Sequence, residues 1–141
     1  MNKLDKIIKE NIDKLVNEYI ESSSYNQQMP LNEMARIRQR KSGLPMIVWL
    51  NPNDGTSTGK HNMPRMKFQD NTNTRLIPNE MIPISIHNSK PTILVKNYIP
   101  KLSSQTINKL KEWIIKNYSV LISYWNGEIF EDELMDSIQS V

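Results

Sequence analysis

Cysteine is absent from the 141 residues of this chain. Disulfides, thiolate catalysis and cysteine–zinc centres are thereby excluded. Histidine occurs only at His61 and His87, too few for a histidine-rich metal site. No apolar run approaches the length of about 18 residues that a membrane helix needs. The N-terminus is an amphipathic, lysine-rich segment, unlike a signal peptide. These absences lead us to expect a soluble protein of the bacterial cytoplasm, with a virion as the other address, and no metal or other cofactor. Alanine is reduced to Ala35 alone, against sixteen Asn, eighteen Ile and thirteen Lys. That bias reflects AT-rich coding DNA, as in a low-GC bacterium or its phage.

Charge is present in both signs but is unevenly placed. Residues 1–21 carry a net −1, residues 31–67 a net +5, residues 68–127 a net +4 and residues 128–141 a net −5. A basic middle with an acidic tail suits nucleic-acid binding, a tail folded on the basic surface, or copies associating head to tail.

The apolar periodicity predicts an α+β fold. Leu4, Ile8, Ile12, Leu15, Val16, Tyr19 and Ile20 recur at three- and four-residue spacing and form one helical stripe over residues 3–21. Such a helix cannot bury its stripe alone, so it must dock on something. The polar run from Ser22 to Gln28 has linker composition. We therefore expect an N-terminal helical arm at 1–21, a linker at 22–30 and one α+β domain at 31–141.

In that domain Arg36, Arg38 and Arg40 alternate with Ala35, Ile37 and Gln39, which predicts a strand with a cationic face, with a short helix through Leu31–Ile37 as the alternative, followed by a turn at Ser42-Gly43. Met46–Leu50 is an unbroken apolar run and predicts a buried strand. Met66–Gln69 predicts another. Met81–His87 and Thr92–Asn97 predict a hairpin, with Pro83 requiring an edge or a free side. Ser103 or Ser104 can cap a C-terminal helical segment that breaks near Asn117 and stops at Asn126-Gly127. A short acidic helix, Glu131–Ile138, ends the chain. The expected architecture is the N-terminal helix, a mostly antiparallel sheet of three to five strands, and a C-terminal helix pair on one face.

Few motifs carry chemistry. Gly55-Thr56-Ser57-Thr58-Gly59-Lys60-His61 fails as a phosphate loop: the glycines are one residue too close, and histidine stands where the metal-binding hydroxyl should be. No Ser–His–Asp order or paired-carboxylate spacing stands out. Asp132 and Glu133 belong to the acidic helix, and His87 has no assigned role. The segment His61-Asn62-Met63-Pro64-Arg65-Met66-Lys67 is the most specific local feature. With Met46–Leu50 before it and Trp113, Asn117 and Tyr124-Trp125-Asn126 after it, it resembles a small bacterial domain family of unknown function. That family is marked by an Asp-His-x-Pro-Pro-His-x-His signature, and the resemblance spans roughly residues 44–127. It implies sheet strands followed by a helix pair, and a setting in small paired genes. The two later signature histidines are Arg65 and Lys67 here and the first proline is Met63, so histidine chemistry does not carry over.

The stronger constellation is basic. Arg36, Arg38, Arg40, Lys41, Lys60, His61, Arg65 and Lys67 come from two strands and a loop, and arginine forks suit phosphate or carboxylate. The first expectation is a non-enzymatic interaction or assembly module, encoded by a phage or mobile element. Its partners would be other protein chains, in a homo- or hetero-oligomer, held through Leu4, Ile8, Ile12, Leu15 and Tyr19. The second is a nucleic-acid-binding protein using the 36–41 basic strand. The third is a toxin-like nuclease in which His61 works with Arg65 or Lys67.

Overall fold

A computed structural model describes residues 3–22, 35–52 and 63–141, with the backbone alone for 14–22. Helix α1 runs Lys3–Ser22. Strand β1 (Ala35–Ile37), the one-turn helix α2 (Gln39–Ser42), β2 (Val48–Leu50), β3 (Arg65–Gln69) and β4 (Met81–Ser85) follow. Helices α3 (Ser104–Lys116), α4 (Tyr118–Trp125) and α5 (Glu131–Ser137) close the chain. The four strands pair antiparallel in the order β1-β2-β3-β4, so the expected α+β architecture is the one observed.

Side-chain alternation splits the sheet into two faces. On the inner face Ala35, Ile37, Val48, Leu50, Met66, Phe68, Ile82 and Ile84 share one core with Ile107, Leu110, Trp113, Ile114 and Leu121 of α3 and α4 and with Leu134 of α5. On the outer face Ile47 and Trp49 pack with Leu76 and Met81. The apolar run at Met46–Leu50 is unbroken because the strand is buried on both sides.

Two expected strands are shorter than their patterns suggest. The Arg36–Arg40 alternation stops at Ile37. Arg38 is still extended, but its carbonyl accepts the N–H groups of Lys41 and Ser42, which winds Gln39–Ser42 into a helical turn. Gly43 ends that turn at φ 77°, its N–H on the Gln39 carbonyl, and a Cβ there would meet Val141 Cγ2 at 2.7 Å. The residues read as a turn between strands are thus a helix stop. The segment Thr92–Asn97 keeps only a bridge from Ile93 to Ile84, because Asn97 turns the chain at φ 59°. That segment still covers the β4 edge: Leu94 N–H donates to the Pro83 carbonyl, and Pro83 turns its missing donor away from β3.

The helices follow their signals. Ser103 Oγ accepts the Thr106 N–H at 3.1 Å and caps α3. The chain breaks at Asn117, which is buried and doubly employed. Its Nδ2 donates to the carbonyls of Trp113 and Gln139, and its Oδ1 accepts the Gln139 N–H at 2.8 Å. Trp113 Nε1 donates to the same Gln139 carbonyl. The residues after α5 are therefore fastened to the α3–α4 corner, and Val141 N–H reaches the Ser42 carbonyl beyond it.

Asp70 is a second buried tie. Its carboxylate accepts the backbone N–H groups of Lys101 and Leu102 at 2.8 and 3.0 Å and the Tyr98 hydroxyl. The strap from β4 to α3 is anchored there, and an ion pair from Lys101 to Glu80 lies at its surface.

Asn117→Ala removes three hydrogen bonds from a buried corner and leaves the Gln139 N–H without its acceptor. A loss of about 2 kcal/mol in unfolding free energy is expected in urea denaturation; a loss below about 0.5 kcal/mol contradicts the anchoring role.

Candidate binding surface on the sheet and its flanks

The register of the sheet decides which basic residues meet. Arg36 lies directly opposite Trp49, and Trp49 directly opposite Lys67. Residues opposite one another share a face, so these three form a row across β1, β2 and β3 on the outer side. The Arg36 guanidinium sits over the Trp49 ring, 5.5 Å from its centroid. Trp49 is 3 % exposed, and its Nε1–H has no acceptor among the described residues. Lys67 is partly buried. Burial pushes its ammonium below the ordinary value of 10.5, and the Arg65 charge pushes the same way.

The other basic residues are elsewhere. Arg38 precedes α2, and Arg40 and Lys41 lie in it; all three are exposed. They belong to a helical turn beyond the sheet, so the expected cationic strand from 36 to 41 reduces to Arg36. Arg65 opens β3, donates from Nη1 to the Met63 carbonyl, and places its guanidinium 5.2 Å from the Trp125 ring centroid. Lys60 and His61 lie outside the described residues. Among the described residues, Arg36, Arg38, Arg40, Lys41 and Lys67 make no ion pair. The eight basic residues thus do not form one described patch.

The stripe of α1 is partly covered. Leu4 is 64 % exposed and Ile7 is exposed beside it, Ile8 is intermediate, and Ile12 is buried. The side chains of Leu15 and Tyr19 lie outside the description. At the other end of the chain, α5 exposes Glu131, Asp132, Glu133 and Asp136, and Phe130 just before it is 78 % exposed.

His87 has a local task that the sequence did not reveal. Its Nδ1 accepts the N–H groups of Ser89 and Lys90, which holds the turn after β4. Burial lowers its pKa, in keeping with a neutral, accepting ring.

Among the described residues no group of three or more His, Asp and Glu could hold a metal, and no helix is long and apolar enough to cross a membrane. Compared with known proteins, the chain matches no family model, no curated protein and no solved structure. The family resemblance drawn from His61 and Pro64 gains no support from those comparisons.

The three residue types of the outer-face row were present in the sequence: an arginine, a tryptophan and a lysine on three expected strands. What was missing was the register that aligns them. Lys67→Met removes a partly buried charge with no counter-ion among the described residues. Its unfolding free energy at neutral pH is expected to equal or exceed that of the wild type. Because the folded pKa of Lys67 is depressed, the unfolded chain holds the proton longer, so wild-type stability rises relative to Lys67→Met as pH approaches 10.5. Denaturation curves at several pH values check both; a clear loss of stability at neutral pH contradicts the unpaired charge.

Proposed function

We propose that the protein is a non-enzymatic assembly module whose copies associate head to tail, the basic turn around α2 of one copy meeting the acidic α5 of the next. One observation carries this reading. Arg38, Arg40 and Lys41, and equally Glu131, Asp132, Glu133 and Asp136, are exposed in the same chain without an ion pair among the described residues. Surfaces of opposite sign that are not satisfied within the chain are complementary between chains, and such contacts set partner choice and register. Phe130 beside the carboxylates supplies an apolar anchor, and aromatic anchors dominate interface energetics. Leu4 and Ile7 on α1 offer further apolar area to the assembly. The AT-rich composition suits a virion-associated or accessory component of a phage or mobile element.

The exposed Arg38, Arg40 and Lys41 also support a second reading, in which this turn meets nucleic-acid phosphates. Among the described residues no stacking platform accompanies it there, since Trp49 is buried.

Light scattering in line with size exclusion separates the two. At low salt the wild type is expected to form an oligomer with a protein-only absorbance spectrum, and to dissociate as salt rises. Reversing the charges in Arg38→Glu/Arg40→Glu/Lys41→Glu is expected to give monomers, as is Glu131→Lys/Asp132→Lys/Glu133→Lys. Mixing the two variants is expected to restore a dimer. A monomeric wild type at low salt overturns the assembly reading, and co-eluting nucleic acid lost on reversing the α2 charges replaces it with the second.

A further inference from the structure

We propose that the outer face of the sheet carries a site for a phosphate-class oxyanion, built from Arg36, Trp49 and Lys67 where they lie opposite one another on β1, β2 and β3.

The indole N–H is a donor only, and buried donors are almost always partnered. The Trp49 N–H is the described residues' buried side-chain group with no partner. Its cross-strand neighbour Lys67 is partly buried and likewise has no carboxylate or carbonyl acceptor among the described residues. Arg36 flanks Trp49 from the other side, without an ion pair among the described residues. Two buried or partly buried donors on neighbouring strands, Trp49 and Lys67, therefore lack an acceptor among the described residues, and the exposed Arg36 adds a second positive charge beside them.

The neighbouring side chains on this face do not supply it. Gln69 is spent on Asn71, Arg75 and Ile77. Ser85 accepts the Thr92 N–H. Opposite Lys67 stands Pro83, which has no side-chain acceptor. Among the described residues, no side chain of this face thus supplies the acceptor. Ile47 and Met81, packed with Trp49, make the surroundings apolar, where a charge-assisted hydrogen bond is strongest.

Charge selects the class of ligand. Arg36 and Lys67 bring two positive charges. A phosphate monoester carries about −1.5 to −2 at pH 7 and three acceptor oxygens. A carboxylate brings a single charge and leaves one cation uncompensated. An anion here also offsets the two influences that lower the Lys67 pKa, its desolvation and the Arg65 charge.

The test is a titration of the full chain, labelled with nitrogen-15, with inorganic phosphate at constant ionic strength, reading the indole N–H resonances. Trp113, whose Nε1 is already bonded to the Gln139 carbonyl, is the internal control, and Trp49→Phe assigns the third signal. The Trp49 resonance is expected to move downfield and saturate while that of Trp113 stays in place. Lys67→Met and Arg36→Gln are each expected to weaken the response by about tenfold or more, as loss of a charged hydrogen bond implies. An unchanged Trp113 signal certifies the fold of each variant. Acetate at matched ionic strength is expected to give no saturating shift. A Trp49 signal that ignores phosphate overturns the site. An equal response to acetate overturns the phosphate class. Unweakened binding by both variants overturns the assignment of the residues.

Discussion

Burial of the inner sheet face beneath α3, α4 and α5 is the constraint on which the rest of the molecule depends. Trp113, Phe68, Leu110 and Ile114 are fully buried where the helices meet the strands. Once Ala35, Val48, Met66 and Ile84 are committed to that core, the two-residue period of a strand leaves no freedom to their neighbours. Arg36, Trp49 and Lys67 must then face outward together. A slip of one residue would drive two cations into the core, so the register that stabilises the fold is also the one that assembles the row.

Two buried polar residues turn this sheet-and-helix layer into a closed unit. Asp70 gathers the strap between β4 and α3, and Asn117 gathers the residues after α5. Both act on backbone groups that would otherwise be unpaired, which is how a chain with short strands secures its connections. Among the described residues the outer face lacks an equivalent tie. Its donors at Trp49 and Lys67 find no acceptor among those residues, and this surplus separates a binding surface from a structural one.

Much of the architecture was legible from residue patterns. The stripe through Ile107, Leu110 and Ile114, the Ser103 cap, the break at Asn117 and the stop at Gly127 are local signals, and each operates locally in the structure. The alternation at Arg36, Arg38 and Arg40 misled because a period of two says nothing about where a strand ends. Gly43 in the left-handed region and the Arg38 carbonyl decide that, and they favour a helical turn. No local signal marks Asp70, because its three partners are about thirty positions away in sequence. The candidate row was hidden for the same reason: Trp49 read as ordinary core, and only cross-strand register brings it between two cations. His61 and Lys60, the remainder of the basic constellation, lie outside the described residues.

The outer face holds a buried donor, the Trp49 indole N–H, that no described residue accepts. The most direct test is this N–H in buffer free of phosphate, read by nuclear magnetic resonance as proton shift, temperature coefficient and exchange with deuterium. A signal is expected that is protected from exchange by burial, yet lies upfield of Trp113 and has the larger temperature coefficient of an unbonded N–H, since Trp113 donates to Gln139 at 2.9 Å. A Trp49 signal that matches Trp113 in shift and temperature coefficient would mean that the fold already satisfies this donor, and the outer face would then be ordinary packing.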